Sequence, residues 1–249
     1  MEQEFKNAVN PPVFEPDMDK QITEIFWQNG GRFYSYILQN IKSRKYSDDV
    51  PTACMSVDRK MTIGTKFWAT LSSAQKQSVL KHEILHFALL HFERFEDEMQ
   101  NGEGTLVNLA TDCAINQILK KDTTCKLWSE PKPIMPDVLE DLIEKANGVR
   151  PKLKADQNAE YYLAELKKAK AEYQKNNPGK KSGEGSEGKD EGEGGENPFA
   201  DEEGNYEHMA GGPKEAGDKA TAKAVMKSLL KQAKEAEKTY QRSIGNQTG

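Results

Sequence analysis

Between Ala74 and Phe95 the chain has neither glycine nor proline, and inside that run stands His82-Glu83-Ile84-Leu85-His86. Val79, Leu80, Leu85, Phe87, Ala88 and Leu89 put apolar residues on neighbouring turns, and Ser72 or Ser73 offers an N-cap, so the spacing predicts one helix over 74–95. Residues four apart in an α-helix stack on one face. His82 and His86 can therefore grip one metal ion together. Glu83 follows the first histidine directly, where a carboxylate cannot easily chelate with them but can reach a water, which is the place of the general base in zinc hydrolases. The plainer reading, two histidines on a half-buried helix face, needs no metal. Three of the four histidines fall in 82–91; the fourth, His208, stands alone without ligand spacing.

The elements around this helix read as mostly helical. Pro11, Pro12 and Pro16 make residues 1–16 an arm, after which Asp17 or Asp19 opens a helical pattern through Ile22, Ile25 and Phe26. Asn29-Gly30-Gly31 breaks it, and a second pattern runs through Phe33, Tyr36, Ile37 and Ile41. From Val50 to Gly64 the period shifts to two, with a turn at Asp58-Arg59-Lys60, which predicts a β-hairpin. Such a hairpin is either a cover for the helices or a sheet edge along which a peptide can add as a strand. Phe67, Trp68 and Leu71 link it to Ser72 and are expected under the main helix.

A catalytic zinc usually has three protein ligands and one open position. The following predicted helix, Leu106 to Lys120, carries Asn108, Asp112 and Asn116 at four-residue steps on one face. Antiparallel packing of the two helices would turn that face to the histidines. Asp112 is thus one candidate third ligand, with Asn108 and Asn116 orienting a ligand or substrate. His91 is the other, but in a continuous helix it points roughly 180° from His82. To use it the helix must break after His86, and Phe87-Ala88-Leu89-Leu90 offers no glycine for that.

Taken together, Thr52-Ala53-Cys54-Met55-Ser56-Val57-Asp58, the His82-to-His86 motif with His91 and Arg94, and Asn108-Leu109-Ala110-Thr111-Asp112-Cys113-Ala114-Ile115-Asn116 resemble the bacterial and phage putative metallopeptidase domain family. The similarity spans roughly Ile22 to Asn116, with a weaker echo at Ala159-Glu160-Tyr161-Tyr162-Leu163. The resemblance implies a zincin-like core that holds Zn2+ and hydrolyses peptide bonds. His91 and Arg94 match the family pattern, which keeps His91 in play as a ligand or as a residue supporting one. Relatives commonly continue into a von Willebrand factor A-like domain; no βαβ pattern of that kind is seen here, so a short or truncated member is expected.

Beyond the second helix, Pro131, Pro133 and Pro136 mark a loop that can lie across a cleft; Asp137 then opens a helix that Asn147-Gly148 ends. Asp156 or Asn158 caps a long charged helix through Tyr173. Residues 176–218 fall to Gly, Glu, Lys and Ser and bury too little to offset chain entropy, so a disordered acidic linker is expected there. Lys219 to Tyr240 is an amphipathic helix, free either to pack back or to dock a protein partner. The fold class is mainly α with a small β-hairpin, divided as arm 1–16, metallopeptidase domain 17–175, linker 176–218 and C-terminal helix and tail 219–249.

A net charge of -5 gives no concentrated basic surface for nucleic acid or an anionic membrane. No apolar run approaches a membrane span, and Cys54, Cys113 and Cys125 form no Cys-x-x-Cys pair. A soluble, unexported, cytoplasmic protein acting on peptides is expected, in the host cytoplasm if the chain is viral. The alternative is a non-catalytic module, stabilised by metal, that works through its linker and last helix.

Overall fold

The computed structural model describes residues 16–178, Phe199 and 216–245. The N-terminal arm, most of the acidic linker and His208 lie outside these residues. Helices α1 (Pro16–Phe26) and α2 (Gly31–Gln39) are followed by strands β1 (Ser43–Ser47), β2 (Ala53–Met55) and β3 (Lys60–Gly64). Then come α3 (Thr65–Thr70), α4 (Ser73–Ala88), α5 (His91–Arg94), α6 (Glu96–Gln100) and α7 (Gly104–Lys121). The chain continues through α8 (Pro136–Asn147), α9 (Ala159–Asn176) and α10 (Ala216–Gly245). It is mainly α with a small sheet, as the periodicities predict.

The hairpin β2–β3 forms over the expected stretch, with Cys54 opposite Thr62, but it belongs to a three-stranded sheet of order β1-β3-β2. The extra strand, β1, pairs parallel with β3 from Ser43↔Lys60 to Ser47↔Gly64. Ser-Arg-Lys-Tyr-Ser has no apolar alternation to read, because this edge strand is half exposed on both faces. Its pairing comes from tertiary context, which routinely outweighs strand propensity. β2 is the other edge. At the end of β3, Gly64 lies so close to Val50 that a Cβ would stand 2.2 Å from the Val50 carbonyl oxygen, so glycine lets the chain turn into α3 there.

Helix α4 starts where Ser72 caps it, with the Gln75 side chain accepting from the Ser72 N–H at 3.0 Å. It then corrects the expected continuous helix over 74–95. α4 ends at Ala88, Leu90 adopts the left-handed region at φ 56° and ψ 37°, and α5 begins at His91. No glycine is involved. A non-glycine residue in that region costs about 1–2 kcal/mol. The break buries Phe92 and Phe95, each worth roughly 1.5–3 kcal/mol, so packing outweighs the strain. Arg94 holds it closed, donating from Nη1 to the Leu89 carbonyl at 2.8 Å while its Nε donates to Glu160 of α9 at 2.9 Å.

The core brings α4 and α7 together, backs α7 with α9, and sets α8 on α9. α10 packs on α2: Met226, Leu230 and Ala233 are buried, and Met226 and Leu230 line a small cavity with Ile37, Ile41 and Phe87. Tyr36 of α2 donates its hydroxyl to Gln232 at 2.5 Å. The last helix thus packs back on the body.

Leu90→Ile tests the helix break. The substitution keeps volume but adds a β-branch that resists positive φ, so urea unfolding should show a loss of about 1–2 kcal/mol. Unchanged stability would mean that the left-handed turn is not required.

Candidate metal centre

Helices α4 and α7 run antiparallel, as the falling order of partners shows. Ser78 Oγ accepts from the Lys126 N–H at 2.8 Å, Lys81 Nζ reaches Thr124 Oγ1 at 2.6 Å, His82 meets Asn116, and His86 meets Asp112. Lys81 is fully buried, with Asp122 Oδ2 at 3.3 Å and the Tyr34 ring 5.3 Å away. That buried cation ties the chain beyond α7 to the middle of α4.

At the crossing, three donor atoms converge. His82 Nε2 and His86 Nε2 are 3.2 Å apart, and Asp112 Oδ1 lies 3.4 Å from the first and 3.2 Å from the second. Both histidines are 5% exposed. Asp112 Oδ1 is buried and in hydrogen-bonding geometry with neither imidazole. Tetrahedral zinc with N and O ligands at 2.0–2.2 Å has ligand-to-ligand edges of about 3.3–3.5 Å, so this triangle has the size of one face of such a site. The donor set fits a zinc ion.

The partners of the other ring nitrogens assign the tautomers. Asn116 Nδ2 donates to the Ile134 carbonyl at 3.0 Å, which turns its Oδ1 to His82 Nδ1, also 3.0 Å away. His82 Nδ1 must then carry the proton, leaving Nε2 as a lone pair facing the triangle. His86 Nδ1 lies 3.3 Å from Nδ1 of His91. The helix break therefore brings His91 back towards His86, not away from the site, yet it approaches the outer nitrogen and not the triangle. Burial, followed by the charges of His86 and Arg94, pushes the His91 pKa down to about 2, so the ring is neutral. A neutral His91 can accept the Nδ1 proton of His86 and leave that Nε2 free as well.

The charges follow the same geometry. Burial acts to raise the Asp112 carboxyl, but His82 and His86 beside it overcome that and hold it well below the usual range. Burial likewise opposes charge on His82, and Asp112 and Glu83 outweigh it, raising its pKa. Glu83 is 6% exposed; burial raises its pKa against the pull of His82 and His86. Its side chain lines a cleft of about 390 Å³ together with the triangle.

Asn108 lines the same cleft, and its amide has no hydrogen-bond partner among the described residues. Arg94 lies behind the site, bracing the break. The opposite walls are β2 with its lead-in from Pro51 and the loop from Trp128 to Ile134, which flanks the cleft. Trp128 sets its ring 5.7 Å from that of His82 at 72°. Nothing in the sequence around Trp128 marks it, since a lone aromatic in a proline-rich loop has no periodicity. Cys54 stands in the cleft wall, and burial and the nearby Glu83 push its thiol up to about 11; all three cysteines are free thiols.

His82, His86 and Asp112 are the one grouping of three or more potential metal ligands among the described residues. No described helix is long and apolar enough to cross a membrane. Neither the curated proteins nor the solved structures contain a match to the sequence. A family model described as "Putative metallopeptidase domain" matches residues 31–248, from the start of α2 through the C-terminal helix. The chain belongs to the family of the "Putative metallopeptidase domain".

Proposed function

We propose that the protein is a zinc-dependent peptidase in which His82, His86 and Asp112 hold the metal and Glu83 is the general base. The observation that carries this reading is the buried triangle of donor atoms with 3.2–3.4 Å edges, set beside Glu83 in an open cleft. Three inward-facing acceptors repel one another unless a cation stands between them. A zinc ion held there would supply Lewis acidity towards a carbonyl and would lower the pKa of a water it binds to about 7.

The residues of the chain do the rest. Asn116 and His91 orient the two imidazoles, so that their lone pairs converge before any ligand arrives. Glu83 takes a proton from the attacking water and passes it to the leaving amine; its raised pKa brings it closer to the value a base working near neutrality needs. Edge strand β2 offers its backbone along the cleft, where an extended peptide can add as a further strand. Asn108, whose amide has no hydrogen-bond partner among the described residues, is placed in the cleft to bond the substrate. The free thiols suit a reducing compartment, so the cytoplasm is the proposed location. The body from 17 to 175, joined by its linker to the bracing helix, forms the working unit. Burial of Met226, Leu230 and Ala233 of α10 supports this reading over a non-catalytic module that docks through its last helix.

Two measurements test this reading. Glu83→Gln keeps shape and removes basicity, so the purified variant should retain stoichiometric zinc while peptide hydrolysis drops by at least about 100-fold; unchanged turnover would remove Glu83 as the base. In chelator competition, Asp112→Ala should weaken zinc far more than His91→Ala, whose loss of an orienting bond is worth about 10- to 100-fold. The reverse order would make His91 the third ligand.

A further inference from the structure

The wall of the cleft on the His82 side is apolar and firmly held. Trp128 stands edge-to-face both to His82 and to Phe67, whose ring is 6.0 Å away at 88°. Val79 lies three residues before His82 on the same face of α4, and Ile134 follows Asn116 through its carbonyl bond. Trp128 and Ile134 are only partly buried against the core, so each keeps apolar surface in the cleft. The charged side chains lining the cleft, apart from the histidines, are Glu83, Asp112 and Lys132, and Lys132 is turned to Asp137 at 2.8 Å.

The loop carrying this wall cannot easily collapse into the cleft. It is fixed to successive turns of α4, with Gln75 Nε2 donating to the Leu127 carbonyl at 3.3 Å and Ser78 Oγ accepting from the Lys126 N–H at 2.8 Å. Asn116 fixes its far end. A rigid apolar wall next to the donor triangle is stabilised by an apolar side chain at about 25 cal/mol per Å² covered. A charged side chain against the rings and methyl groups of Trp128, Phe67, Val79 and Ile134 would lose water without gaining a hydrogen bond from them.

We propose that this wall is the pocket for a large apolar side chain, aromatic or leucine-like, of the peptide residue adjoining the scissile bond. The assignment rests on the metallopeptidase reading above and narrows its substrate class. Acetohydroxamate and phenylpropionohydroxamate share one zinc-chelating head and differ by an apolar arm, so calorimetric titration of the zinc-loaded full chain with each isolates the pocket. The longer compound should bind at least about tenfold tighter. Trp128→Ala and, separately, Ile134→Ser should bring that ratio to about threefold or less with zinc content retained; if Trp128→Ala fails to fold, Ile134→Ser decides. Equal affinities in the wild type, or a ratio unmoved by the variants, overturns the pocket while acetohydroxamate binding leaves the metal site standing. Failure of both compounds to bind the zinc-loaded protein overturns the peptidase reading and the pocket with it.

Discussion

Two imidazole nitrogens and a carboxylate oxygen held within 3.4 Å of one another in a buried crossing are a constraint that the surrounding packing has to maintain. A proton can bridge one edge of the triangle, but the remaining acceptor stays unpaired, and Asp112 Oδ1 is that atom here. Leaving such a group buried and unbonded costs about 1–3 kcal/mol, more when it is charged. A divalent cation removes the conflict at all three atoms together. The antiparallel seam of α4 and α7 has to be held firmly enough to keep the triangle from relaxing.

Much of the remaining structure supplies that hold. The buried Lys81 and the bonds from Gln75 and Ser78 fasten the segment after α7 along α4, so the two helices cannot slide past each other without breaking a series of bonds. The break at Leu90 turns His91 back onto His86, and Arg94 closes the turn onto α9, which itself packs on α7. α10 packs on α2 and lines a small cavity with Ile37 and Phe87. Strain in one residue is thus offset by burial of its neighbours, and the result is a site whose two histidines are oriented by their outer partners. Rigidity of this kind is what keeps a cleft open next to buried polar atoms.

The longer helices and the hairpin were legible because each has its own period and punctuation, Ser72 at the start of α4, Asn147-Gly148 at the end of α8 and alternation in β2 and β3, whereas the short helices α3, read as a link, and α6 carry too few turns to show a period. The meeting of Asp112 with His82 and His86 was legible from the four-residue repeat on α7, once antiparallel packing was assumed. What escaped depends on contacts distant in sequence. β1 has no pattern because half of it faces water, and its parallel partner lies beyond an intervening strand. The break at Leu90 has no local breaker; it is imposed by the burial of Phe92 and Phe95. The tryptophan beside His82 sits in a loop, where sequence has no code for direction.

Zinc K-edge X-ray absorption on the zinc-loaded protein counts and types the atoms around the metal. Coordination by His82, His86 and Asp112 gives a shell of nitrogen and oxygen only, at about 2.0–2.2 Å, with scattering from two imidazoles. A sulfur shell at about 2.3 Å, which would bring in Cys54, or scattering from three imidazoles, which would bring in His91, would contradict it.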